Sequence, residues 1–84
     1  MQTQKQTGGG IATIKGWHYH LQPFSIDGRT LIYAPHHEEQ MDADIEEVKD
    51  RARELAAEKP HFVFFIVQDG RYTHKFHKEY EWAA

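Results

Sequence analysis

Two Asp-Gly pairs, Asp27-Gly28 and Asp69-Gly70, each stand between segments rich in strand-forming residues. Asp-Gly is favoured in two-residue hairpin turns, which need positive φ, a conformation glycine adopts at little steric cost. The chain is therefore expected to hold two antiparallel hairpins, and anything else must pack on them. Ahead of the first pair, Ile11, Thr13, Trp17, Tyr19 and Leu21 fall on one parity, with His18, His20 and Gln22 on the other. This alternation predicts a half-buried strand over 11–24, at a sheet edge or bent near Pro23, which lacks a ladder donor. Thr30 to Ala34 returns beside it, and Pro35 stops it.

In the second hairpin, Phe62 to Gln68 is apolar on both parities, which predicts a central strand covered on both faces. Arg71 to about Trp82 returns. A two-residue loop would set Gln68 against Arg71, Ile66 against Thr73, Phe64 against Lys75 and Phe62 against His77. The other face would pair Val67 with Tyr72, Phe65 with His74 and Val63 with Phe76. That second face is the more apolar, so the helix is expected over it, with His74 turned inward. Phe62, Phe64 and Ile66 would then be left open beside Lys75 and His77, and an exposed apolar patch of that kind marks an interaction surface.

Between the hairpins the period changes. Met41, Ile45, Val48, Ala52 and Leu55 form one helical stripe. Asp44 with Glu47 resembles a capping box, Asp42 being the alternative cap, and Lys59-Pro60 ends the helix. The expected fold is α+β in the order ββαββ: a mainly antiparallel four-stranded sheet with one amphipathic helix packed on one face. Residues 1–10 are polar after Met1 and end in three glycines. Burial there cannot offset ordering entropy, so they read as a flexible tail preceding a single small domain over 11–84. A core that small gains stability from a second copy, and a homodimer is expected.

No cysteine is present, so there is no disulfide framework and no thiolate metal site. Apolar runs fall short of the roughly 18–20 residues of a membrane span, and the start of the chain lacks the pattern of a secretory signal. A cytoplasmic protein without membrane contact is expected. Of the thirteen acids, nine lie between Glu38 and Glu58, while the seven histidines lie outside that window. An acidic helix beside a weakly basic sheet follows.

Four chemistries can be weighed on these residues. His18 and His20 share one strand face, and with His77 they could hold zinc or another transition metal through neutral imidazoles. His-x-His alone is a weak pattern, and exposed histidines are its ordinary explanation. His36-His37, followed by Glu38 and Glu39, reads as a polar lead-in to the helix. Catalysis has little to draw on: Ser25 is the sole serine and no base stands at a useful spacing. Phe62 and Phe64 beside Lys75, His77 and Arg71 have the ingredients of a single-stranded nucleic-acid platform. A net charge of −3 with only ten basic residues opposes it. Glu46, Glu47 and Asp50, with Asp42, form a negative patch able to dock on a basic groove. The sequence thus points to a non-enzymatic protein-interaction module, an inhibitor or accessory factor that blocks a partner's surface. Contact would be made by the acidic helix (Asp42, Glu46, Glu47, Asp50) or by the aromatic sheet face (Phe62, Phe64, Lys75). A histidine metal domain and a weak single-stranded nucleic-acid binder are the alternatives.

Overall fold

The computed structural model describes residues 17–84. The tail expected over 1–10 and the start of the first strand, 11–16, lie outside the described residues. From Trp17 the chain forms β1 (Trp17–Asp27), β2 (Thr30–Tyr33), a 3-10 turn at Pro35–His37 and β3 (Glu39–Ala43). It continues through α1 (Ile45–Glu58), β4 (Phe62–Gln68), β5 (Arg71–Phe76) and β6 (Glu81–Ala83).

Both Asp-Gly hairpins are present. At the second, Asp69 and Gly70 both take positive φ, 51° and 75°, as a type I′ turn requires. At the first, Asp27 pairs with Thr30, so the two loop residues are Gly28 and Arg29. Gly28 alone has positive φ there, the type II′ pattern.

The four-stranded ββαββ sheet expected from sequence is overturned. Among the described residues six strands form one antiparallel sheet, in the order β2-β1-β4-β5-β6, with β3 also paired to β1. Two segments account for the difference. Residues 35–43, read as loop and helix start, return to the sheet: Trp17 to Leu21 pair with Ala43 to Glu39. Met41, the first member of the helical stripe, belongs to that strand. β1 spans eleven residues, enough for two short partners along one edge. The return from Arg71 also breaks, at His77, where His77 and Tyr80 exchange backbone hydrogen bonds and β6 turns back on β5.

Pro23 sits inside the sheet, since β1 is flanked by β4 on one side and by β2 and β3 on the other. The N and C=O of one strand residue point to the same side. The Pro23 carbonyl accepts from the Ala34 N–H at 2.9 Å, so its missing donor faces the place where the outer strand is already interrupted. The proline therefore breaks no ladder bond toward β4.

The helix covers the opposite sheet face from the one expected. Tyr19, Leu21, Phe64, Ile66 and Phe76 are buried against Val48, Ala52, Leu55 and Ala56. A β-bulge is the cause. Val67 pairs with Tyr72 as expected, but Ile66 pairs with His74, leaving Thr73 as an extra residue in β5. Its hydroxyl donates to the Ile66 carbonyl at 3.3 Å. From there on parity is inverted, and Phe76 joins Phe64 instead of Val63. Asp44 caps α1, its carboxylate accepting from the Glu47 N–H at 3.0 Å.

The two faces should differ in energetic weight. Phe64→Ala should cost about 3–5 kcal/mol of stability, and Tyr72→Ser about 1 kcal/mol or less. Urea unfolding of both variants measures this; equal losses would contradict the assignment of the covered face.

Candidate functional site

Opposite the helix, every strand but β3 contributes an aromatic or long apolar side chain to a continuous surface. Phe24 of β1 touches Tyr33 of β2 and Phe65 of β4, with ring centroids 5.4 and 5.3 Å apart. Phe65 in turn meets Tyr72 of β5 at 5.0 Å. Tyr33, Tyr72 and Trp82 remain 44%, 50% and 49% exposed. Beneath them Val63 and Val67 are buried by these larger neighbours. Lys75 lies over the rings of Phe65 and Tyr80, at 5.8 and 5.3 Å, a cation–π arrangement. These residues line a shallow hollow of about 460 Å³ together with Glu81 and Trp82.

The far end of the same face is polar. His18 Nδ1 donates to Asp42 at 2.7 Å, and its Nε2 lies 3.1 Å from Gln40 Oε1. His20 Nδ1 donates to Glu38 at 2.9 Å, and the Tyr33 hydroxyl donates to the other oxygen of that carboxylate. Both histidines thus tie β1 to the outer strand and its turn. The hydrogen bond to Asp42 raises the affinity of His18 for a proton. Burial pushes the Glu38 carboxyl up, but the bonds from Tyr33 and His20 outweigh it and hold it below the usual range. The same contact raises the Tyr33 phenol.

The expected metal ligands do not converge. His18 and His20 have ring centroids 5.0 Å apart, but His77 follows the opposite end of β5. His20 is level with Val67, while His77 lies beyond the level of Phe64. At about 3.3 Å per residue that is roughly 13 Å along the strands, before the width of two strand spacings is added. His77 Nε2 donates to the Pro60 carbonyl at 3.2 Å, and its Nδ1 accepts from the Glu79 N–H at 3.1 Å. Among the described residues no group of three or more His, Cys, Asp or Glu side chains could hold a metal. His37 packs edge-on against Phe62, and the Ser25 hydroxyl donates to the Ile32 carbonyl at 3.4 Å.

Phe64 is fully buried and Phe62 packs against the core under α1, so neither belongs to the open face. Lys75 does belong to it. On the helix, Glu46, Glu47 and Asp50 are exposed, but the acidic surface is laced with cations. Arg51 holds Glu39 through two hydrogen bonds and also reaches Glu54. Arg53 clamps Glu81 of β6 and reaches Asp50, and Lys49 pairs with Glu46. These guanidinium groups hold Glu39 and Glu81 below the usual carboxylate range. Phe24, Tyr33, Phe65, Tyr72, Trp82 and Glu38 are the surface residues that sequence reasoning missed. Their signal was an aromatic series on the parity opposite Phe64, concealed by the bulge at Thr73.

No family model, no curated protein and no solved structure matches this chain. Among the described residues no helix is long and apolar enough to cross a membrane.

His74, level with Ile66 on the helix side, is pushed toward the neutral form by burial, helped by Lys49 and Arg53 and opposed by Glu46 and Glu81. Its folded value lies below the ordinary 6.5. Its contribution to stability is therefore complete above the unfolded value and is lost as pH falls through the folded one. Urea unfolding between pH 8 and pH 5 should show a decline that is smaller in His74→Leu. An unchanged decline would assign the acid sensitivity to other groups.

Proposed function

We propose that this protein is a non-enzymatic interaction module, an inhibitor or accessory factor that works by covering a protein partner with the open face of its sheet. The observation that carries this is the half-exposed series of Tyr33, Tyr72 and Trp82 around Phe24 and Phe65, on the face the helix leaves bare. Tyrosine and tryptophan are enriched in protein contacts because they bury much area with few rotatable bonds and keep a polar tip. Backing by a buried sheet makes the surface rigid, which lowers the entropy lost on docking.

A protein partner is favoured over a nucleic acid by the charges on this face. Lys75 stands on its β5 side, but Glu38 and Asp42 bring carboxylates onto the same surface, and phosphates would meet them. The acidic helix is the weaker contact surface, since Lys49, Arg51 and Arg53 already neutralise part of it. A cysteine-free chain suits a reducing compartment, and we place its action in the cytoplasm.

Affinity enrichment from native lysate, quantified by mass spectrometry, separates the two surfaces. Tyr72→Ser combined with Trp82→Ser should lower partner recovery about tenfold or more, as loss of aromatic anchors does. Glu46→Lys, Glu47→Lys and Asp50→Lys together should leave it within about twofold. The reverse pattern would move the contact to the helix.

A further inference from the structure

Resting on the reading of the open sheet face as a contact surface, we infer that its first occupant is a second copy of this chain. The two copies pack face to face about a two-fold axis running along the strands between β1 and β4.

Two charges of opposite sign stand on this face at the same height. Lys75 makes no ion pair among the described residues and rests on the Phe65 and Tyr80 rings. Glu38, its side chain 15% exposed, is bonded to Tyr33 and His20 and has no lysine or arginine partner among those residues. Tyr33 is level with Phe24, so a carboxylate spanning Tyr33 and His20 is level with Gln22. Gln22 pairs with Phe65, and Phe65 with Lys75. Lys75 is one strand beyond β4, and Glu38 is one strand beyond β1, where β2 gives way to β3.

A two-fold axis along the strands preserves height and exchanges sides. Placed between β1 and β4, it lays β4 of one copy over β1 of the other, and β5 over the outer strand. Lys75 of each copy then faces Glu38 of the other, twice by symmetry, while Phe24 meets Val63 and Gln22 meets Phe65. The strands of the two sheets run aligned, one of the two usual ways sheets stack. Four strand positions overlap, β6 of each copy lying beyond the other's edge; at about 4.8 Å each, with about six residues at roughly 3.4 Å, they give a shared face of about 400 Å² in projection. Two such faces cover about 800 Å² in projection, a size that fits a weak, concentration-dependent dimer. The carboxylate arrives pre-positioned, because Tyr33 and His20 fix both of its oxygens.

Sedimentation equilibrium of the full chain should show a dimer at micromolar to sub-millimolar concentration. Lys75→Glu places like charges together twice and should weaken the dimer roughly tenfold or more. Raised salt should partly restore it by screening. Glu38→Lys should be similarly weakened, with circular dichroism checking that it folds without its Tyr33 and His20 bonds. Mixing the two single variants should restore dimers. In that heterodimer the two substituted side chains face each other with charges reversed at one contact, and the native Lys75 and Glu38 meet at the other. A monomeric wild type, or a dimer indifferent to Lys75→Glu and its salt response, would overturn the proposal. A monomer that binds a hydrophobic dye, and loses it on Tyr72→Ser with Trp82→Ser, would overturn self-occupancy but keep the face as a contact surface. A monomer that binds no dye would defeat both.

Discussion

The ladder between β1 and β4 is the interaction on which the rest of this structure depends. It joins Leu21 to Ile66 and Phe24 to Val63, elements widely separated along the chain, and makes one sheet from two local hairpins. Neither hairpin has a covered face alone, and an isolated two-stranded hairpin is marginal in water. Once β1 and β4 are side by side, Tyr19, Leu21, Phe64 and Ile66 present a single apolar surface wide enough to seat α1. The helix, capped by Asp44 at one end and released by Lys59-Pro60 at the other, then closes that surface with Val48, Ala52, Leu55 and Ala56.

Charge completes what packing begins. Arg51 and Arg53 leave the helix in opposite directions, one to Glu39 of β3 and the other to Glu81 of β6. One strand at each margin of the sheet is thereby tied to the same helix through bidentate guanidinium–carboxylate contacts, the strongest geometry for such pairs. Arg53 also lies over the Phe76 ring, 5.6 Å from its centroid, so the clamp rests on the core itself. Each pair is partly exposed and contributes modestly. Arg53 thus adds a side-chain tie to three-residue β6, whose residues are all solvent-exposed and which otherwise rests on its ladder to β5.

Much of the framework was legible in the sequence because local chemistry dictates it. The two Asp-Gly turns, the helix with its Asp44 cap, and the central place of Phe62–Gln68 all follow from turn preference, periodicity and a continuous apolar run. What failed was non-local. No turn residue or periodicity announces the bulge at Thr73, and one inserted residue moves Phe76 and His74 to the other face of the sheet. The open surface was consequently sought at Phe62 and Phe64 and is found at Phe24, Phe65 and Tyr72. β3 was missed because Glu39–Ala43 is polar and short, with a pairing satisfied by the length of β1 rather than by its own propensity. The histidines at 18 and 20 share a face as alternation requires, yet their partners Asp42 and Glu38 arrive only through that unrecognised strand and the turn before it.

The lateral margins of the sheet carry a last consequence. On one side the outer strand is split by the Pro35 turn into pieces of four and five residues, and on the other β6 has three. Short, interrupted edges are poor templates for adding further chains by backbone pairing. Growth along the hydrogen-bonding direction, the route to open-ended fibrils, is discouraged at both margins. The proposed contact through the broad face would have a different arithmetic: an isologous surface is used up by one encounter and leaves nothing for a third molecule. The fold thus combines a broad exposed aromatic face with edges too short and interrupted to propagate strand pairing.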